Sequence, residues 1–112
     1  MTEFPADSEL IEFFGCPPDL TDTDADVSWA YNTLRFIVKK ASDRVECTID
    51  NPSLELRWTR DGEELIFLNF HQVNRLRIES DPGGSVMVGE HENGVVRISL
   101  KPKVHISYVQ SQ

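Results

Sequence analysis

From Val45 to Tyr108 the chain alternates apolar and polar residues in short runs broken by turn-forming pairs. Val45, Cys47 and Ile49 alternate with Arg44, Glu46, Thr48 and Asp50, and Leu54, Leu56 and Trp58 alternate with Glu55, Arg57 and Thr59. Strand side chains point to opposite faces with period two, so each run reads as a half-buried strand, apolar inward and polar outward. Leu76 and Ile78, Val86 and Val88, Val96, Ile98 and Leu100, and Val104, Ile106 and Tyr108 continue the pattern. This periodicity rules out a helical bundle over most of the chain.

The turns carry their own chemistry. Asp61-Gly62 is a two-residue hairpin signal, because a type I′ turn needs positive φ at both central positions. It pairs Arg60 with Glu63 and sets Trp58 across from Leu65. Asn93-Gly94 is a second such signal, and Asp81-Pro82-Gly83-Gly84 makes a turn between them. In the strand after Gly62, Leu65 and Phe67 lie on one face while Ile66, Leu68 and Phe70 lie on the other. An apolar residue on each face argues for a central strand, covered on its second side by another layer. The segment Trp29–Val38 reads as a further strand. There Trp29 and Tyr31 have the opposite parity to Leu34, Phe36 and Val38, which implies a bulge or a strand covered on both faces.

Before these strands, Asp7 or Ser8 caps a short helix through Leu10, Ile11, Phe13 and Phe14. Gly15 stops it and Pro17-Pro18 prevents its resumption. Two turns do not persist alone in water, so this apolar helix must lie on the sheets, and it is the expected cover for the two-sided strand. The expected fold is mainly β: an antiparallel meander, sandwich or open barrel of about eight short strands with one short N-terminal helix. A length of 112 residues fits a single domain, 1–112, with an acidic helix and loop over 1–26 and an antiparallel β domain over 27–112.

Charge is segregated in the same way. The net charge is −8, yet residues 27–112 hold as many acids as bases. The excess lies in Glu3, Asp7, Glu9, Glu12, Asp19, Asp22, Asp24 and Asp26, ahead of the first basic residue, Arg35. Such a chain repels phosphate backbones and anionic bilayers, so neither nucleic acid nor a membrane is an expected partner. No secretory signal is visible and the cytoplasm is the expected compartment. Cys16 and Cys47 then read as free thiols, Cys47 as a small core residue.

Motifs for chemistry are weak. Asp22-Thr23-Asp24-Ala25-Asp26 has the opening of a calcium loop, but Val27 and Thr33 stand where that loop needs Gly and Glu; counted from Asp24, the positions hold Trp29 and Arg35. His71, His91 and His105 are scattered over strands and turns, and His91-Glu92 lacks the second His of a zinc helix. Each reads as a surface or turn histidine. Gly83-Gly84-Ser85 is turn chemistry rather than a nucleophile elbow. No catalytic residue, metal site or cofactor is assigned. Arg57, Arg75, Arg77, Arg97 and Lys101 share the outward register with Glu46, Glu55 and Glu79, which predicts cross-strand ion pairs on solvated faces.

One stretch carries a family likeness. A short helix ending Phe13-Phe14-Gly15, prolines soon after, then Asp24-Ala25 leading into an all-β chain resembles small immunity proteins of bacterial polymorphic-toxin systems. One such family carries His directly before the Asp-Ala pair, and this chain has Thr23 there. The resemblance implies a cytoplasmic, non-enzymatic protein that binds a cognate toxin domain and blocks it. An acidic segment on a compact scaffold complements a cognate toxin or other basic protein, so Asp19, Asp22, Asp24 and Asp26 with nearby Trp29 and Tyr31 are the expected partner-binding residues. The alternative is a small apolar-ligand-binding β domain whose pocket is lined by Phe36, Trp58, Phe67 and Phe70. Homo-oligomerisation stays open, because a terminal strand such as Val104–Val109 presents an unpaired edge.

Overall fold

A computed structural model describes residues 1–24 and 26–110, apart from the side chain of Asp81. Helix α1 spans Asp7–Phe14, and the strands are β1 (Asp19–Leu20), β2 (Thr33–Lys40), β3 (Asp43–Asp50), β4 (Ser53–Arg60), β5 (Glu63–Phe70), β6 (Val73–Asp81), β7 (Gly84–His91), β8 (Gly94–Ser99) and β9 (His105–Gln110). They form two antiparallel meanders, β1-β2-β3-β4-β5 and β6-β7-β8-β9. The sheets enclose one core and do not close into a barrel. Every strand neighbours the next in sequence within its sheet, as short tight turns require.

The predicted alternation is realised in most strands. Val45, Cys47, Ile49, Leu54, Leu56, Leu76, Val96 and Ile98 are buried in the core. The Asp61-Gly62 turn has positive φ at both residues, 52° and 82°, as type I′ geometry demands. Gly15 ends α1 in the left-handed conformation at φ 75°, its N–H donating to Ile11 O at 2.7 Å. The helix begins one residue earlier than its capping residues suggest. Ala6 takes the N-cap place and donates its N–H to the Glu9 side chain at 2.9 Å.

Several expectations are corrected. β5 is not central but the edge of its sheet, and Leu65 and Phe67 on its outer face remain 44% exposed. The helix packs elsewhere, against β2, β6 and β7, with the Phe14 ring stacked on Phe36 at 4.1 Å. A bulge also shifts the β4–β5 register. Arg60 faces Glu63 and Thr59 faces Glu64, but Trp58 faces Ile66 instead of Leu65. The extra residue accommodates the strong twist of a tight hairpin.

Trp29–Tyr31 is a 3₁₀ turn rather than part of a strand, capped by Ser28, which accepts the Ala30 N–H. That turn explains the parity break. The second hairpin signal is displaced by one residue: Glu92 and Asn93 form the loop, while Gly94 sits in β8 opposite His91 and Gln110. Gly94 is required there by proximity, since a Cβ would strike the Val109 carbonyl and the Tyr108 ring. Val88 points to the outer face of its sheet, between Arg77 and Arg97, and Met87 takes the core position.

Candidate functional site

The acidic segment is anchored at its start by backbone pairing. Asp19 and Leu20 pair with Arg35 and Leu34 of β2, so the first predicted site residue belongs to a short strand and not to a loop. Thr21 N–H then donates to Thr33 O at 3.2 Å. Asn32, 4% exposed, holds the next residue in place: its Nδ2 donates to Asp22 O at 2.6 Å and its Oδ1 accepts the Asp22 N–H at 3.1 Å. A buried amide stays buried only when its donors and acceptors are met, and these two bonds meet them from one residue.

Beyond Asp22 the chain turns on its own carboxylates. Asp22 Oδ1 accepts from Asp24 N–H at 3.0 Å, and Asp24 Oδ1 accepts from Asp26 N–H at 3.0 Å. These successive Asx turns hold Asp22, Asp24 and Asp26 exposed on one short arc. Ala25, the second half of the Asp24-Ala25 pair, lies outside the described residues. Val27 N–H closes the turn onto Asp24 O at 3.1 Å.

The two aromatic residues divide. Trp29 is half-buried and packs on the core, whereas Tyr31 is 86% exposed. Between them Ala30 O accepts from Asn51 Nδ2 at 3.1 Å, which ties the 3₁₀ turn to the β3–β4 connection. Asp19, the Asp22–Asp26 arc and Tyr31 therefore stand on elements joined through Asn32 and β2, with Trp29 as a packing residue beneath. Sequence reasoning misses Asn32. Its pairing with Asp22 spans ten positions and has no local signature beyond an Asn ahead of a strand.

Several ionisable groups elsewhere are paired or buried. Asp43 accepts from Arg60 Nε at 2.8 Å and Trp58 Nε1 at 3.0 Å, and these bonds, Arg60's first, hold its carboxyl below the usual range. Arg77 is held charged by Glu79 at 2.7 Å and Glu90 at 3.0 Å. On the first sheet Arg35 and Arg44 both reach Glu46, and Arg57 reaches Glu64 at 3.1 Å. Burial pushes the Cys47 thiol far up, leaving it an inert core group, and Cys16 is a free thiol with Sγ 3.7 Å from Ile37 O.

His71 and His105 are exposed, but His91 is not a plain turn residue. Its ring lies 4.7 Å from Phe70 and stacks on Tyr108, with Nε2 2.9 Å from the Tyr108 hydroxyl. The four aromatics proposed to line a ligand pocket do not share one. Phe36 is fully buried in the core, while Phe67 points from the opposite face of the sheet. A shallow, open depression of about 180 Å³ lies instead between Glu12 and Phe13 of α1 and the residues Gly84, Ser85, Leu100 and Lys101. Among the described residues no helix is long and apolar enough to cross a membrane.

Neither a protein-family model nor a curated protein sequence matches the chain. Among solved structures it is similar to a chain of the contact-dependent growth inhibition toxin–immunity protein complex from Klebsiella pneumoniae 342, with a TM-score of 0.80 at 14% identity. The match covers 98% of this chain and 98% of that one. At that identity it is the fold that is shared. The two-sheet architecture is thus that of a toxin–immunity complex chain, and the likeness does not rest on the Asp24-Ala25 motif.

Proposed function

We propose that this chain is the neutralising partner of a toxin–immunity pair, binding a cognate toxin domain in the cytoplasm and blocking it by occupancy rather than catalysis. The observation that carries this reading is the full-length fold likeness to a chain of a toxin–immunity complex. Charge favours the neutralising role of the two: the acids in excess stand together on the N-terminal segment, a form suited to a basic enzyme whose own ligand is anionic. The contact surface is the arc of Asp22, Asp24 and Asp26 with Asp19 and the exposed Tyr31. Tyr31 supplies the rigid aromatic anchor that acidic side chains alone lack.

Co-expression with any toxin domain found encoded next to this gene tests the reading directly. Host growth should be restored, and the two purified proteins should form a complex. Continued killing with no complex at low salt overturns it. Replacing Asp22, Asp24 and Asp26 together by Asn should slow association by roughly tenfold or more at low salt and flatten its salt dependence, with a smaller effect on dissociation. An unchanged on-rate moves the contact surface to another face.

A further inference from the structure

The acidic arc has little to hold its shape. From Thr21 to Asp26 every described side chain is exposed, so no apolar packing fixes the segment. Asp22, Asp24 and Asp26 also repel one another, and a free loop carrying such like charges spreads them apart. Among the described residues, the hydrogen bonds that tie this stretch back to the sheet come from Thr33, whose carbonyl accepts from Thr21, and from the Asn32 side chain, which both donates to and accepts from Asp22. The Asx bonds at Asp24 and Asp26 lie within the arc and follow wherever Asp22 goes.

Asn32 stands where the two parts of the candidate site meet. It follows Tyr31 directly, and its own N–H donates to Trp29 O at 3.2 Å, closing the 3₁₀ turn that carries Tyr31 outward. Its buried side chain then grips Asp22 through both backbone groups, at 2.6 and 3.1 Å. Thr33, next in the chain, opens β2. One buried amide therefore sets the aromatic turn and the acidic arc against the same strand.

We propose that Asn32 is a positioning residue for toxin binding: it does not touch the toxin, but it holds the acidic arc and Tyr31 as one preformed surface. The inference rests on the toxin-binding reading and adds what keeps that surface in shape. A loop already in its bound form loses less conformational freedom on association, and carboxylates held together against their repulsion gain more from a basic partner than ones that must first be gathered. Removing the clamp leaves every charge in place. Long-range steering depends on those charges and should survive, so the loss should fall on the lifetime of the complex. That pattern is opposite to the one expected when Asp22, Asp24 and Asp26 are replaced by Asn, which acts on association.

The test is Asn32→Ala in the whole chain, read first without toxin and then with it. In the free wild type the NMR backbone order parameters of Asp22, Asp24 and Asp26 should stand near about 0.85, and in the variant they should fall to about 0.6 or below while the core strands keep theirs. With the toxin domain, dissociation followed by surface plasmon resonance should quicken about tenfold, with the on-rate and its salt dependence within about twofold of the wild type. Asp22 is itself exposed, so water can take up its freed backbone groups. Should the alanine variant nonetheless fail to fold, Asn32→Ser, which keeps a shorter polar side chain, is read in the same way. An arc that is already loose in the wild type, or equally ordered in the variant, overturns the proposal, as does a loosened arc with an unchanged dissociation rate or a loss confined to the on-rate. A wild type that binds toxin no better than Asn32→Ala sinks this inference alone, whereas a wild type that binds no toxin removes the toxin-binding reading and this inference with it.

Discussion

The two outer faces of the sandwich treat apolar residues in opposite ways. On the second sheet Val88 projects outward yet is fully buried, because β7 is an inner strand and Arg77 and Arg97 flank it in register. Their aliphatic stems shield it, and their guanidinium groups are carried outward to Glu79 and Glu90. On the first sheet Phe67 has such a neighbour on one side only, Arg57, whose guanidinium lies 4.9 Å from the ring centre. The other side is open. An outer-face hydrophobe is covered when strands flank it on both sides, and an edge residue such as Phe67 stays partly exposed.

The largest expected effect concerns neither face but the core that both sheets share. Phe36→Ala removes the ring on which Phe14 stacks and should cost about 3–5 kcal/mol in chemical denaturation. A loss under about 1 kcal/mol would mean that α1 is not docked through this contact.

The contrast between the faces is probed by Val88→Ala against Phe67→Ala, measured where the chain is monomeric. Val88→Ala should cost about 1–3 kcal/mol, a core-like value at a position facing away from the core. Phe67→Ala should cost under about 1 kcal/mol despite removing more atoms. Equal losses would erase the distinction between flanked and open positions.

A smaller effect is confined to acid. Because Arg60 and Trp58 hold the Asp43 carboxyl below its usual range, Asp43 contributes stability that is complete above the unfolded value near pH 4 and fades as pH falls through the lower folded value. Asp43→Asn should therefore flatten the acid limb of the pH–stability curve and leave its shape above pH 6 unchanged. An unaltered acid limb would remove the pairing from the account of this hairpin end.

Much of the architecture was legible because strand periodicity and turn chemistry are local. Val45, Cys47 and Ile49 announce an inward face whatever they pack against, and Asp61-Gly62 demands its turn from φ preferences alone. The errors fell where a neighbour distant in sequence decides. Leu65 to Phe70 reads as a central strand because burial on both faces is the usual reason for such a run; here the run ends a sheet. Gly94 reads as a turn glycine, but the backbone at Val109 and the Tyr108 ring require it. Of the candidate site, the acids were legible as solvated residues, whereas the exposure of Tyr31 was not, because Trp29–Val38 reads as a strand and the 3₁₀ turn that points Tyr31 outward has no periodic signature. Asn32 was not legible either, since its role exists only through Asp22.

What the sequence determined by itself is the mainly β class, the helix stop at Gly15, the inward registers of most strands though not of Val86 and Val88, and the concentration of negative charge before Arg35. These properties come from backbone dihedral preferences, period-two patterning and charge count, all of which act within a few residues or by simple summation. Tertiary structure alone decided that the chain divides into sheets of five and four strands, that β5 lies at an edge, and that the Asp22–Asp26 arc is pinned to Asn32. Those outcomes depend on loop closure and on which faces meet. A residue's burial is shared with partners far along the chain, and local pattern carries no record of them.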